Sequence, residues 1–312
     1  MPTALRGENS RTRRSSGRRI RSAHIIRYKG TYFRSCSIER LVLIQAENSQ
    51  GDFTVVVPTK NSERWIADLH EHYTRIGVFP LYCVDARTTD ATASVLSRVG
   101  ARFEWISGEA QHPEPMLPQI RDLVTTRWIL RVDDDECPSR YLIGWLMAKR
   151  YPPSSHMVAF PRRWLRFATA RRWWRPFSRG NRLEFAASKS WNWKWSKKGQ
   201  DRQFRFYRKD AVNYYPDVHT PGFKIKHAAL APGKAVLFHF DWLLRSKAER
   251  LAKVARYGPI FSVFYLPEDV QRWDYSGEIR DKEILDLARR LAGSPQNEET
   301  QASDGATREH SS

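Results

Sequence analysis

Long apolar runs are missing from this chain. No stretch approaches the ~20 residues a membrane-spanning helix needs, and no apolar core follows the basic N-terminus as a secretory signal would require. Cysteine is scarce. Cys36, Cys83 and Cys137 are odd in number and scattered, with no CxxC pair, which argues against a disulfide framework or a structural zinc site and suits a reducing compartment. No GxGxxG follows the first apolar run, which disfavours a Rossmann dehydrogenase. Acid is also in short supply: 34 Asp and Glu face 53 Lys and Arg, for a formal net charge of +19. Such a surface attracts polyanions, whether nucleic acid, anionic lipid headgroups, nucleotide diphosphates or acidic glycans. Together these features point to a cytoplasmic protein, suited to peripheral contact with the inner face of an anionic membrane.

What is present reads as a folded α/β protein. The 312 residues include 12 Trp, 12 Tyr and 15 Phe, and disordered chains carry few aromatics. Residues 1–50, with "RGENSRTRRSSGRRIRS", form an expected disordered basic arm, and 294–312 an expected polar tail. Between them strand and helix patterns alternate. "FTVVVPT" reads as a buried strand. "SERWIADLHEHYTRIG" follows as a helix, with Ser62 able to cap it and Gly77 to end it. "PLYCVDA", "ARFEWI" and "RWILRV" read as further strands, separated by helical stripes that include "DATASVLSRVG", closed by Gly100. A helix with Pro138 in its first turn comes next. This alternation predicts a mostly parallel sheet with helices on both faces. Residues 51–155 would form its first half, and 156–293, where strands are interleaved with irregular segments, the rest of the same domain. Near the end, Ser246 and Glu249 make a capping box in "SKAERLAKVARYG", and a last helix covers about 281–292.

The run "RWILRVDDDECPS" places Asp133, Asp134, Asp135 and Glu136 at the end of an apolar strand. Four adjacent carboxylates repel one another and require water, cations or a metal. In an extended segment Asp133 and Asp135 would point to one side and Asp134 to the other. A D-x-D pair of that kind suits a hard divalent ion, Mn2+ or Mg2+, that already carries phosphate oxygens. The plainer alternative is acid decorating a helix N-terminus. Ligands in parallel sheets bind at the carboxyl ends of strands, and Asp85, Asp133 and Asp135 all fall at such ends.

"VVVPTKN", then "YCVDARTTDAT", then "RWILRVDDDE" resembles the N-terminal half of family 2-type inverting glycosyltransferases of the GT-A fold. The match lies at Pro58, Thr59, Asn61, Asp85, Asp90, Thr92, Asp133 and Asp135. It departs at Ala86 and Arg87, where the family carries Asp and Gly. Farther on, "DRQFRFYRKDAVNYYPDVHTPG" and "LFHFDWLLRSKAERLAKVARY" are similar to the family's R-x-F-R…V-H and histidine-strand segments, with Thr220 where many relatives have Glu. The resemblance implies a nucleotide-sugar donor, a UDP-sugar by family habit, and a glycan or lipid-linked acceptor. It implies that Pro58, Thr59 and Asn61 line the nucleotide pocket and that Asp85 touches the base. Asp133 would lie by the ribose and the metal, with Asp135 as principal metal ligand. A base must take the acceptor's proton, and Asp217, Asp201 and His219 are candidates. His239 in "FHFDW" is either a metal or diphosphate ligand or a core histidine.

From "PRRWLRF" to "RQFRFYRK" basic residues and Trp interleave against only Glu184 and Asp201. Trp stacks on sugars and bases alike, and Arg binds phosphate, so an acceptor platform, a nucleic-acid surface or a Trp-cored loop region all fit. Two rival functions follow. A metal-dependent nucleotidyltransferase would add a third carboxylate to the pair. A nucleic-acid-binding protein would leave the strand-end aspartates unexplained.

Overall fold

The computed structural model of the chain describes residues 52–107, 114–167, 183–188, 201–214, 223–257 and 273–293. The basic arm expected over 1–50, the tail over 294–312 and most of the Trp- and Arg-rich stretch lie outside the described residues.

The first half is built by alternation. β1 (Phe53–Thr59), α1 (Ile66–Arg75), β2 (Leu81–Asp85), α2 (Thr92–Arg98), β3 (Arg102–Ile106), α3 (Leu117–Leu123) and β4 (Trp128–Arg131) follow one another, with a 3-10 turn over Glu114–Met116 before α3. The strands pair in parallel in the order β3–β2–β1–β4. β1 shows the logic of this arrangement. Its β-branched valines suit a pleated surface, and successive side chains enter opposite layers. Val55 and Val57 join Leu69 and Tyr73 of α1, whereas Val56 joins Leu117 and Ile120 of α3. Each such burial stabilises the fold by roughly 1.5–3 kcal/mol, and it is this two-sided core that requires helices on both faces.

Local signals set several element ends. Gly77 follows α1 at φ +74°, a conformation that costs any side chain with a Cβ. Ser246 and Glu249 form the expected box at the start of α6 (Lys247–Tyr257): Ser246 N donates to Glu249 Oε2 at 2.7 Å and Glu249 N to Ser246 Oγ at 3.2 Å. Two expectations change. Ser62 does not cap α1, because its hydroxyl donates to the Asp134 carboxylate, a charge-assisted bond stronger than one to a neutral partner. Pro138 ends a short strand, β5 (Glu136–Pro138), and Ser139 caps α4 (Arg140–Met147) by accepting from Leu142 N at 3.1 Å.

The second half extends the sheet. β8 (Arg202–Arg208) runs antiparallel between β4 and the eleven-residue β6 (Met157–Phe167). β7 (Leu183–Ser188) and β11 (Trp273–Glu278) continue it beyond β6. The short β9 (Ala228–Leu230) pairs with the start of β6. Farther along, Arg162–Trp164 of β6 pair in parallel with β10 (Leu237–His239), which is antiparallel to β5. α5 (Asp241–Leu244) follows β10 directly, and α7 (Lys282–Ala292), capped by Asp281, packs its buried Ile284, Leu287 and Leu291 into the core shared with α1. The fold is therefore the expected α/β type, with a parallel first half and mixed pairing beyond β4. No helix among the described residues is long and apolar enough to cross a membrane.

Candidate active site

Parallel pairing brings the carboxyl ends of β1, β2 and β4 to one edge, and their loops are tied together there. Asn61, at φ +52°, accepts from Thr89 N at 2.9 Å through Oδ1. Glu63 N donates to Asp90 Oδ2 at 3.0 Å, and Ser62 N to Thr92 Oγ1 at 2.7 Å. Lys60 N donates to Asp134 Oδ2 at 3.2 Å, while Lys60 Nζ lies 3.7 Å from Asp85 Oδ2. The loop residues singled out in the sequence thus form one connected cluster. Pro58 and Thr59 end β1 beneath it, with Thr59 buried and its hydroxyl turned back to Val57 O.

The acidic run is a turn rather than an extended segment, which corrects the expected alternation of its side chains. Glu136 N donates to Asp133 O at 2.9 Å, closing the turn, so a period of two does not govern it. Each carboxylate finds its own partners. Asp133 is bonded to Arg205 and lies 3.6 Å from Arg131 Nε. Glu136, fully buried, takes Arg205 at 3.0 Å and Arg162 at 3.2 Å. Asp134 reaches back to Ser62 and Lys60 N. Burial, with Asp135 nearby, pushes its carboxyl up to about 6. A positively charged chain can therefore tolerate four adjacent acids because its own guanidinium groups are folded against them.

Asp135 faces the other way. Its Oδ1 lies 3.2 Å from His239 Nε2, and its Oδ2 lies 2.7 Å from Arg245 Nη1 and 3.5 Å from Lys253 Nζ. Burial pulls its carboxyl upward, but His239, Lys253 and Arg245 outweigh this and hold it well below the usual carboxylate range. The β5–β10 pairing makes this contact, since it sets His239 opposite Glu136 and bonds Phe240 N to Asp135 O at 2.8 Å. Asp135 and His239 are the residues that could hold a divalent ion, since a carboxylate oxygen and an imidazole nitrogen are both donors such an ion accepts, and their 3.2 Å contact here is a hydrogen bond between them. No cluster of three or more His, Cys, Asp or Glu able to hold a metal forms among the described residues. The protein would therefore supply two ligands and leave the rest to phosphate oxygens, as hard ions bound with nucleotides commonly require.

The remaining candidates separate. Asp85 is buried at the end of β2, where Arg87 clasps it through Nε at 3.0 Å and Nη2 at 2.6 Å. Burial works upward on its carboxyl, but the Arg87 bonds and Lys60 hold it below the ordinary value. Asp201 is buried and held by Arg162 Nε at 2.6 Å, Gln203 Nε2 at 2.6 Å and Trp164 Nε1 at 3.0 Å. Asp217 and His219 lie outside the described residues. Sequence reasoning did not assign Arg205, Arg162, Arg245 or Lys253 to the site. The signal was partly visible, because Arg205 and Lys253 stand in the R-x-F-R and S-x-x-E-R-x-x-K segments.

No protein-family model matches the chain, and no curated protein does. Among solved structures, the chain is similar to glucosyl-3-phosphoglycerate synthase from Mycobacterium tuberculosis, solved with Mn2+, uridine diphosphate and glucosyl-3-phosphoglycerate. The TM-score is 0.31 at 16% identity, over 39% of this chain and 47% of that one. It is also similar to S. aureus TarS, with a TM-score of 0.41 at 13% identity, over 64% of this chain and 38% of that one. A third is CMP:2-keto-3-deoxy-manno-octonic acid synthetase complexed with CTP, at a TM-score of 0.35 and 12% identity, over 51% and 75%. This chain spans about half the length of the synthase, and at such scores the chemistry rests on its own residues.

Proposed function

We propose that this protein is an inverting glycosyltransferase that moves a sugar from a nucleoside-diphosphate sugar, a UDP-sugar by the family resemblance, to a glycan or lipid-linked acceptor with a divalent ion, Mn2+ or Mg2+. The observation that carries the proposal is the meeting of Asp135 with His239 beside the clustered loops of β1 and β2. Asp133, Asp134 and Asp135 do not decorate a helix N-terminus, because β5 separates them from α4, which Ser139 caps.

In this reaction the bond between the sugar's anomeric carbon and the diphosphate oxygen breaks while the acceptor oxygen bonds the opposite face of that carbon. Asp135 and His239 would hold the ion, which when bound neutralises charge developing on the departing diphosphate. Pro58, Thr59, Asn61 and Asp133 line the nucleotide side, and Asp85, with Arg87 upon it, faces the base. Asp217 takes the acceptor's proton in this proposal, with His219 as the other candidate, since Asp201 is buried and bound by Arg162, Gln203 and Trp164 and a base must lie within reach of the proton it takes. The nucleotidyltransferase alternative wants a third carboxylate in the ion's shell, and nothing among the described residues favours it.

A thermal-shift panel of UDP, GDP, CDP and ADP, with Mn2+ or with chelator, tests the reading. One diphosphate should raise the melting temperature only with metal, and Asp135→Ala should abolish the shift. A shift that survives Asp135→Ala removes the metal role from this residue.

A further inference from the structure

The main path of the sheet ends at β3, and no described strand pairs with its outer side. Its five residues pair with β2 without a register shift, whereas β11, at the other end of the path, carries one between Tyr275 and Gly277. An unbroken edge with neither bulge nor proline is a template for another strand. Ile106 O accepts from Ala86 N at 2.8 Å, which fixes the backbone direction. Arg102, Glu104 and Ile106 turn their amide groups toward β2, and alternation turns those of Phe103 and Trp105 outward. The side chains divide as well. Phe103 packs on the core that holds Leu96 of α2, and Trp105, 55% exposed, lies edge-on to it with ring centroids 6.3 Å apart. Arg102 and Glu104, both exposed, share the opposite face with the buried Ile106.

A second β3 laid antiparallel against this edge must match outward amides with outward amides, so its register changes in steps of two residues. With Phe103 opposite Phe103, Arg102 of each copy falls opposite Glu104 of the other. These are non-hydrogen-bonded positions, where side chains approach most closely. A step in one direction sets Glu104 against Glu104, and a step in the other sets Arg102 against Arg102. Like charges directly opposite destabilise a pairing. We propose that β3 is a self-complementary edge through which two copies of this chain pair antiparallel about a two-fold axis at Phe103, joining their sheets. In that pairing Phe103 N and O exchange bonds with their counterparts, and Trp105 N donates to Ala101 O of the other copy. Ala101 N stays bonded to Leu96 O within its own chain, at 3.0 Å. Because the strands run oppositely, the carboxyl ends of β1, β2 and β4 in the two copies face opposite ways, and each candidate site stays with its own chain. Nothing in this pairing depends on the transferase reading.

Sedimentation equilibrium of the full chain tests the pairing. The salt is ~0.15 M, which screens exposed charges farther apart than about 8 Å and so mutes the repulsion between two chains of formal charge +19. Wild type should pass from monomer to dimer within roughly 1–100 µM. Arg102→Glu and Glu104→Arg each turn two attractive pairs into two repulsive ones, and each should weaken the dimer at least ~10-fold. The double variant Arg102→Glu/Glu104→Arg should restore it. Mixing the two single variants should give a heterodimer, since one strand then presents two acids and the other two bases. Misfolding cannot produce that gain, so the mixture keeps its meaning if either variant is destabilised. Wild type that stays monomeric at ~100 µM overturns the inference. A dimer that neither single variant weakens overturns it by placing the contact elsewhere, and single variants that fail to recombine on mixing overturn it too.

Discussion

Replacing Arg205 with methionine removes the cation that two carboxylates of the acidic turn share. The guanidinium is 3% exposed and the Glu136 side chain 0%. Its Nη2 sits 3.0 Å from Glu136 Oε1 and is also bonded to Asp133 Oδ2. Breaking a buried ion pair by removing one partner costs about 3–5 kcal/mol, because the other charge is stranded. Here each carboxylate keeps a second cation, Arg162 at 3.2 Å for Glu136 and Arg131 at 3.6 Å for Asp133. The loss should sit at the lower end, about 3 kcal/mol. At about 2–4 °C per kcal/mol for a domain of this size, the melting temperature should fall by ~6–12 °C at pH 7. Arg205→Lys keeps the charge but not the planar fork, and should recover only part of the loss.

The pH dependence separates charge from packing. Burial pulls the Asp133 carboxyl upward, but Arg205 and Arg131 outweigh it and hold it below the ordinary 3.8. A depressed carboxylate contributes stability that is present above 3.8 and lost as pH falls through its folded value. The gap between wild type and Arg205→Met should be full at pH 7 and narrow below about pH 4. Denaturant midpoints at pH 7, 5 and 3.5 measure it. A gap below about 1 kcal/mol at pH 7, or one that stays constant with pH, refutes the buried ion-pair network beneath Asp133.

Asp134→Asn keeps an acceptor for Ser62 and Lys60 N while removing a charge whose carboxyl stands at about 6. A raised carboxyl loses stability as pH climbs from 3.8 to about 6, so the amide should gain about 1 kcal/mol at pH 7.5 and almost nothing at pH 4, read from unfolding midpoints. Gly77→Ala meets no atom within 4 Å of the new Cβ but must hold φ at +74°, so it should lower stability by about 1–2 kcal/mol through backbone conformation alone. Equal stability of the two proteins in urea would show that α1 ends by another route.

The candidate site was legible in the sequence in its acids and obscure in its bases. Asp85 and Asp133 could be placed because parallel strands deliver their carboxyl ends to a common edge, and strand direction follows from alternation with helices. The shape of the acidic run could not be placed, since a bond from Glu136 N to Asp133 O makes it a turn, and an extended segment looks the same on paper. Ser62 misled for a related reason. Its position before a helix is a capping signal, but a carboxylate from the turn after β4, 72 residues away, took the hydroxyl instead.

By itself the sequence determined whatever depends on near neighbours: the alternating strands and helices, the valines that feed two cores, the glycine after α1 and the reciprocal caps of Ser246 and Glu249. These follow from backbone geometry and side-chain period, which act over a few residues. Only tertiary structure decided which cation meets which acid. Arg205 reaches Asp133 because β8 lies next to β4, and His239 reaches Asp135 because β10 pairs with β5. Charges attract without regard to chain separation, so their partners are set by which surfaces the core brings together, and no local pattern encodes that.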